Sequence, residues 1–220
     1  MIDNTSDRGI AFICEGDTEK QFYLSLLYYF TDKHNATIQK ILNQQETDIV
    51  YELAKKDIKY IIKFKVAESV TGMPKTSKWF DVDCVKKYGS KLSWTAFLCY
   101  DIDSYTRDIT QFYEGDWKDL RDKLKHAQSV IDLAAKADIE DIMLVDLEGV
   151  CAFIDHPPIK RENLLGRKGT AKMKMFFRDC GKSYHKGDRA RPLIDSLDKQ
   201  KIIDSKILDF EKVEDLFCSF

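Results

Sequence analysis

The sequence lacks the long apolar runs and the paired cysteines that are typical of membrane proteins and zinc sites. No stretch of the 220 residues approaches the roughly 18 consecutive apolar residues of a membrane-spanning helix. The N-terminus is polar and acidic, so we expect no signal peptide, no membrane partner and a cytoplasmic protein. The six cysteines are scattered without a Cys-x-x-Cys pair. They are therefore predicted to be reduced and mostly buried, rather than disulfide-bonded or bound to zinc.

A phosphate-binding loop of the Walker type is also absent, although Gly181-Lys182-Ser183 resembles its last residues. That loop requires a glycine five residues before Gly181, where this chain has Phe176. We therefore exclude nucleotide binding by such a loop. The sequence shows no recognisable sensor or ATPase domain of its own. We expect control by a separately encoded ATPase or sensor, or by self-association into a homo-oligomer.

Positive charge is concentrated late in the chain. Residues 160–191 contain eleven Lys or Arg and three acids, whereas the remainder contains 24 bases and 34 acids. This split predicts an anionic partner for the basic segment and an acidic site elsewhere that requires cations. The plainer alternative is a solvated surface helix. We divide the chain into a catalytic domain, residues 1–155, and a basic, mainly helical C-terminal extension, residues 156–220.

The segment at about residues 67–93 interrupts the regular apolar pattern of the first domain. Its exposed bases and aromatic residues predict an insertion that contributes to a binding surface or to contacts between subunits. Alternatively, Trp79, Phe80 and Trp94 pack the insertion onto the domain.

A strand, a turn and a helix at the start of the chain place two glutamates together. Residues 10–14 are apolar and have the length of a strand that is buried on both faces, as in a parallel sheet. Gly16 provides a turn, and a helix follows directly. Glu15 therefore lies at the carboxyl end of a central strand, where open α/β sheets bind their ligands. Glu19 lies one helical turn later and faces the same crevice. Two converging carboxylates indicate a metal ion.

Two later segments are predicted to be strands that also end in acids. Residues 95–100 are a second buried-strand run, and Asp101-Ile102-Asp103 follows with both carboxylates on one side. Residues 113–137 predict an amphipathic helix that returns to a strand at residues 142–145, which is followed by Asp146-Leu147-Glu148. Clustered like charges cost free energy without a compensating ion. Oxygen ligands, without a His or Cys pattern, favour Mg²⁺ or Mn²⁺ over zinc.

The remaining segments complete an α/β fold with a mainly parallel central sheet flanked by helices. Residues 36–42 predict a short strand. Residues 46–66 fit a helical face better than strict alternation, although residues 58–66 also favour a strand. In the C-terminal tail, short helices are predicted around residues 193–197 and 213–217.

The order of these elements resembles the Toprim domain of topoisomerases, primases and OLD-family nucleases. Glu15-Gly16 and Asp101-Ile102-Asp103, each after an apolar strand, carry the resemblance, which covers roughly residues 8–154. The additional Glu19 is similar to the Glu-Gly-x-x-Glu form of OLD-type nucleases. The small size is similar to that of stand-alone Toprim proteins of prokaryotic defence loci, such as the RloB-like group and the Toprim effector of the PARIS system.

The resemblance implies a metal-dependent nuclease that hydrolyses phosphodiester bonds of DNA or RNA, tRNA included, in defence against phage or mobile elements. A site for two Mg²⁺ or Mn²⁺ ions is implied, in which Glu15 bridges the ions or acts as general acid/base. Glu148 falls where the family has Ser-x-Glu, although Asp146 departs from that pattern. The family also has a late lysine near the phosphate, and Lys168 and Lys186 compete for this role. The implied metal ligands are Glu15, Glu19, Asp101, Asp103 and Glu148.

Three other classes of protein use similar residues. A nucleotidyl-transferring enzyme such as a primase would use the same acids but should also bind a nucleoside triphosphate. A glycosyltransferase would use Asp-x-Asp but would leave Glu15, Glu19 and Glu148 unexplained. A non-catalytic module would keep its acids for a structural ion.

Overall fold

The fold is built on one sheet of six strands. The computed structural model describes residues 8–41, 49–56, 58–89, 92–102, 112–136 and 138–218. The strands are β1 (Arg8–Cys14), β2 (Thr37–Ile41), β3 (Val50–Lys55), β4 (Ile58–Val66), β5 (Ser93–Asp101) and β6 (Ser129–Ala135). Their order is β2-β3-β4-β1-β5-β6. Strands β4, β1, β5 and β6 are parallel, and β2 and β3 are antiparallel to their neighbours. The predicted α/β class with a mostly parallel sheet is confirmed.

Helices cover both faces of this sheet. They are α1 (Asp17–Lys33), α2 (Met73–Trp79), α3 (Glu114–Lys123), α4 (Ile139–Met143), α5 (Leu147–Phe153), α6 (Gly169–Asp179), α7 (Arg191–Ser196), α8 (Lys199–Asp204) and α9 (Glu211–Cys218). Side chains of α1 and of α4 to α9 contribute to the apolar core on one face. Side chains of α2 and α3 contribute to the core on the other. Of the helices described, none has the length and apolar character that crossing a membrane requires.

Strand β1 is buried on both faces, which explains its uninterrupted apolar sequence. Ile10 and Phe12 belong to the core under α1, whereas Ala11 and Ile13 belong to the opposite core. The ring of Phe12 stacks on two aromatic rings of neighbouring strands, Phe64 and Phe97, with 4.9 Å between ring centroids in both pairs. The strand that leads to Glu15 is therefore held rigidly.

The helix predicted for residues 46–66 is wrong, because the described part of this segment forms strands β3 and β4. The strand that residues 58–66 also favoured is confirmed, since β4 spans Ile58–Val66. The two strands pair antiparallel, with Lys55 opposite Ile58. Val50 and Ile61 face one core, whereas Leu53 and Ile62 face the other. Since both faces are covered, apolar residues do not alternate with polar ones, and the spacing imitates a helix.

The long helix predicted for residues 113–137 and the strand at residues 142–145 are also wrong. Helix α3 ends at Lys123, and the chain then forms β6, which pairs in parallel with β5. The apolar run that follows lies in α4 and in the 3-10 turn Leu144–Asp146. A short apolar run does not distinguish a buried strand from a buried helix. Pairing with β5 satisfies the backbone of β6 and outweighs the helix propensity of its alanines.

The insertion is helical and packs on the sheet. It contains α2 and a π-helical turn, Phe80–Lys86. Trp79, Phe80 and Trp94 are at most 5% exposed and join the core beside α3. The alternative interpretation of these aromatic residues therefore holds, and they do not form an exposed binding surface.

We expect Phe12→Ala to lower the free energy of unfolding by about 3–5 kcal/mol, because it leaves a cavity between two stacked rings. Phe153→Ala is the matched control, since Phe153 is 39% exposed, and it should change stability by at most about 0.5 kcal/mol. Urea denaturation measures both. Equal losses in the two variants would contradict the assignment of β1 as the centre of the core.

Candidate functional site

The pairing of β1 with β5 places Glu15 beside Asp101. The strands run parallel with Cys14 opposite Cys99, and the Glu15 amide continues the pairing by donating to the Cys99 carbonyl at 2.9 Å. The Asp101 amide donates to Oε2 of Glu15 at 3.2 Å. Two of the predicted metal ligands therefore meet at the carboxyl edge of the sheet.

Helix α1 adds Glu19 to this edge. Gly16 is extended at the start of the helix, and Glu19 lies in its first turn, only 7% exposed. Glu15, Glu19 and Asp101 line one cavity of about 470 Å³. Asp103, the other predicted ligand of this motif, lies outside the described residues. The described chain thus brings together three of the five predicted carboxylates.

The environment of this cavity disfavours the ionised forms of Asp101 and Glu19. Burial, followed by the negative charges of Glu19 and Glu15, raises the pKa of Asp101 to about 10. Burial also raises the pKa of Glu19 to about 7, with a smaller contribution from Glu15. Oδ1 of Asp101 is buried and has no hydrogen-bond partner within the described ranges. A cation would satisfy this oxygen and offset the repulsion.

No three Asp, Glu, His or Cys side chains of the described residues stand close enough together to ligate one ion by themselves. Mg²⁺ usually keeps several waters and is bound by one or two carboxylates together with ligand phosphates, so a site for it does not require three such side chains. The donor set, all oxygen, fits Mg²⁺ or Mn²⁺.

Sequence reasoning missed Asp138, which lines the same cavity. Asp138 is the N-cap of α4, where Oδ1 accepts a hydrogen bond from the Asp141 amide at 2.9 Å. Its Oδ2 accepts from the Thr170 amide, at the start of α6, at 2.8 Å. The capping pattern Asp-x-x-Asp was present in the sequence and predicts a helix start at this position.

Glu140 is a second missed acid, and it is completely buried. Its carboxylate accepts hydrogen bonds from the Thr170 hydroxyl at 2.8 Å and from the Tyr184 hydroxyl at 2.9 Å. The amine of Lys186 forms an ion pair with Oε1 of Glu140 at 3.2 Å. Lys186 also lines the cavity that contains Glu15 and Asp101. Glu140 thus connects the C-terminal extension to the site.

Glycine is required where the extension docks on α4. The Gly169 amide donates to Oδ2 of Asp141 at 2.9 Å. A Cβ at position 169 would lie 2.2 Å from Oδ1 of Asp138 and 2.2 Å from the Asp141 nitrogen. Any larger residue would push the start of α6 away from Asp138 and Asp141, whose carboxylates accept hydrogen bonds from its first amides.

The structure does not bring Glu148 to the cavity. Its side chain is 74% exposed and pairs with Lys201 at 2.7 Å. Neighbouring Asp146 accepts hydrogen bonds from the Gly149 and Asp198 amides and so joins α5 to the extension. The expectation failed because these acids follow a helix rather than a strand, which turns them away from the sheet edge.

The two candidate lysines differ in position. Both line a second cavity of about 580 Å³, together with Arg167 and Lys174. This cavity shares Asp138, Thr170 and Lys186 with the acidic one. Lys186 therefore lies between the acidic cavity and the basic one, whereas Lys168 lines the basic cavity alone.

Comparison with known proteins identifies no family. No protein-family model matches the chain, and no curated protein matches it. A mutant futalosine hydrolase of Helicobacter pylori is 8% identical with a TM-score of 0.26, covering 91% of this chain and 99% of that one. A 5'-methylthioadenosine/S-adenosyl homocysteine nucleosidase of Campylobacter jejuni is 11% identical with a TM-score of 0.28, covering 96% and 98%.

The prediction of a metal-dependent nuclease is corrected by these findings. The similar solved structures are nucleosidases rather than nucleases. The ligand set implied for two ions is also not assembled as expected, because Glu148 lies on the surface beside Lys201. The likeness to the nucleosidases has TM-scores of at most 0.28 among these structures, so no activity is transferred from them to this chain.

We expect the contribution of Asp101 to the stability of the metal-free protein to fall as the pH rises from about 4 to 10. The pKa of Asp101 is about 10 in the folded chain and near 4 when unfolded. Over this range the folded protein keeps a proton that the unfolded chain releases, so a rise in pH favours unfolding. Asp101→Asn should flatten this dependence when melting temperatures are measured in EDTA.

Asp122→Asn provides the matched control for this experiment, because Asp122 is exposed on α3. It should leave the pH dependence of the melting temperature unchanged. A slope for Asp101→Asn equal to that of the unaltered protein would show that Asp101 is not held protonated by the site.

Proposed function

We propose that this chain is a Toprim-like protein whose acidic cavity binds Mg²⁺ or Mn²⁺ and, through the ion, a phosphate-bearing ligand of nucleotide size. The observation that supports this proposal best is the environment of Oδ1 of Asp101. This oxygen is buried without a hydrogen-bond partner among the described residues, beside the carboxylates of Glu15 and Glu19.

Asp101 and Glu15 would hold the ion directly, and Glu19, which lines the same cavity, would add negative charge near it. Both oxygens of Asp138 already accept backbone hydrogen bonds, so Asp138 is assigned to orienting the surrounding helices. When bound, the ion would offset the negative charge of the cavity and polarise a phosphoryl oxygen of the ligand. Waters and ligand oxygens would complete its coordination, as is usual for Mg²⁺.

The basic cavity supports a ligand that carries phosphate. Arg167 and Lys174 line it without an ion pair to any described carboxylate, and Lys186 joins it to the acidic cavity. Arg and Lys are the side chains that bind phosphate most strongly. The two cavities, of about 470 and 580 Å³, have the size of small-molecule sites, roughly 300–1,000 Å³.

The Toprim-like part of the proposal rests on the motifs and on their placement. Glu15-Gly16 follows β1, and Asp101 ends β5, its parallel neighbour. The carboxyl ends of adjacent parallel strands lie at the same edge of a sheet. Open α/β sheets bind ligands in a crevice at that edge.

We expect Mg²⁺ or Mn²⁺ to raise the melting temperature of the protein, because an ion that binds only the folded state stabilises it. Asp101→Asn and Glu15→Gln should each remove most of this rise. Glu148→Gln is the matched control and should keep it, since Glu148 lies outside the cavity. Thermal unfolding with a series of metal concentrations measures the response. An equal loss in Glu148→Gln and Asp101→Asn would contradict the assigned ligands.

We expect the protein to bind inorganic pyrophosphate or ADP in the presence of Mn²⁺ and much more weakly in EDTA, as isothermal titration calorimetry can measure. Lys174→Ala should weaken this binding several-fold, because a cation that faces the ligand is lost. Lys206→Ala removes a lysine that lines neither cavity and should have no effect. Binding that does not depend on the metal would contradict the proposal.

A further inference from the structure

We propose that Glu140 is a positioning residue that fixes the amine of Lys186 at the junction of the acidic and basic cavities, where the amine binds the phosphate of the ligand. This inference rests on the proposed function and deepens it. It assigns a role to a buried acid that lines neither cavity and so has no place among the metal ligands.

Both carboxylate oxygens of Glu140 are paired with donors from the C-terminal extension. The side chain has no exposed surface, and three donors reach its carboxylate: the hydroxyls of Thr170 and Tyr184 and the amine of Lys186. An unpaired buried carboxylate would be costly, so these partners offset the cost of burying Glu140. Tyr184 and Thr170 hold the carboxylate, and the carboxylate holds the lysine.

The backbone next to Lys186 is anchored independently. The Gly187 amide donates to the Thr18 hydroxyl at 2.9 Å, and the Gln21 side chain donates to Asp188. Thr18 and Gln21 both belong to α1, the helix that carries Glu19. Lys186 is therefore fixed at its amine by α4 and at its backbone by α1.

This double anchoring matters because a free lysine loses much side-chain entropy when it binds a ligand. Lys186 is already ordered, and its side chain is still 48% exposed, so it can face a ligand without rearrangement. Burial alone would lower the pKa of Lys186, but the negative charges of Glu140, Glu19 and Asp138 outweigh burial and raise it. The amine is thus charged as well as fixed.

A double-mutant cycle tests the inference, with inorganic pyrophosphate and Mn²⁺ as the probe and calorimetry as the readout. Lys186→Met removes the amine, and Glu140→Gln removes the charge that holds it. Each should weaken binding by about tenfold, the loss of roughly one charge-assisted contact. If Glu140 acts through Lys186, the double variant should bind no more weakly than Lys186→Met alone. Additive losses would overturn the inference.

Tyr184→Phe is an intermediate variant, because it removes one donor to Glu140 and leaves the ion pair with Lys186 in place. It should weaken pyrophosphate binding less than Glu140→Gln does, because Thr170 and Lys186 still contact the carboxylate. A loss as large as that of Glu140→Gln would mean that the network supports the fold rather than the lysine, and would overturn the inference.

A spectroscopic readout separates this inference from the proposed function. In ¹⁵N-lysine-labelled protein, the ammonium of Lys186 should give a signal protected from exchange, assigned by its loss in Lys186→Met. The signal should disappear in Glu140→Gln. Absence of a protected signal in the unaltered protein would overturn the positioning role, even if Glu140→Gln fails to fold. If the protected signal is present but the unaltered protein does not bind pyrophosphate with Mn²⁺, the proposed function alone would be rejected.

Discussion

The parallel pairing of β1 with β5 is the constraint on which the site depends. It puts the carboxylate of Glu15 within hydrogen-bond distance of the Asp101 amide. It also leaves both acids partly buried at the edge of the sheet. A cavity with one carboxylate oxygen left without a partner among the described residues is the direct result. Much of the surrounding structure compensates for this concentration of negative charge.

Helix α4 and the C-terminal extension supply that compensation. Acids of residues 138–146 accept hydrogen bonds from the extension: Asp138 from Thr170, Asp141 from Gly169 and Lys172, and Asp146 from Asp198 and Lys201. Four bases of residues 160–191 form ion pairs with earlier acids in this way: Arg161, Lys172, Lys182 and Lys186. Arg167 and Lys174, which line the basic cavity, are part of what remains for an anionic ligand.

This division changes the meaning of the charge asymmetry in the sequence. A segment with eleven bases and three acids suggested a surface devoted to an external anion. In the structure, Lys172, Lys182 and Lys186 pair with acids of residues 140–155 instead. The basic segment thus stabilises the fold through ion pairs and also lines part of the binding site.

The elements that could be predicted from sequence are those whose signal is local. Strand β1, helix α1 and strand β5 have apolar runs of the right length, and acids follow both strands at once, so Glu15, Glu19 and Asp101 were found. Strand β6 was missed because its pairing with β5 is not encoded in its own spacing. Glu140 was missed because its partners, Thr170 and Tyr184, lie 30 and 44 residues later in the chain.

A crystal of the protein soaked with Mn²⁺ and measured for anomalous scattering would test the central claim most directly. We expect a peak in the cavity lined by Glu15, Glu19 and Asp101, with at least one of these carboxylates within about 2.6 Å of the ion. No peak there at saturating Mn²⁺, or a peak only beside Glu148 on the surface, would contradict it.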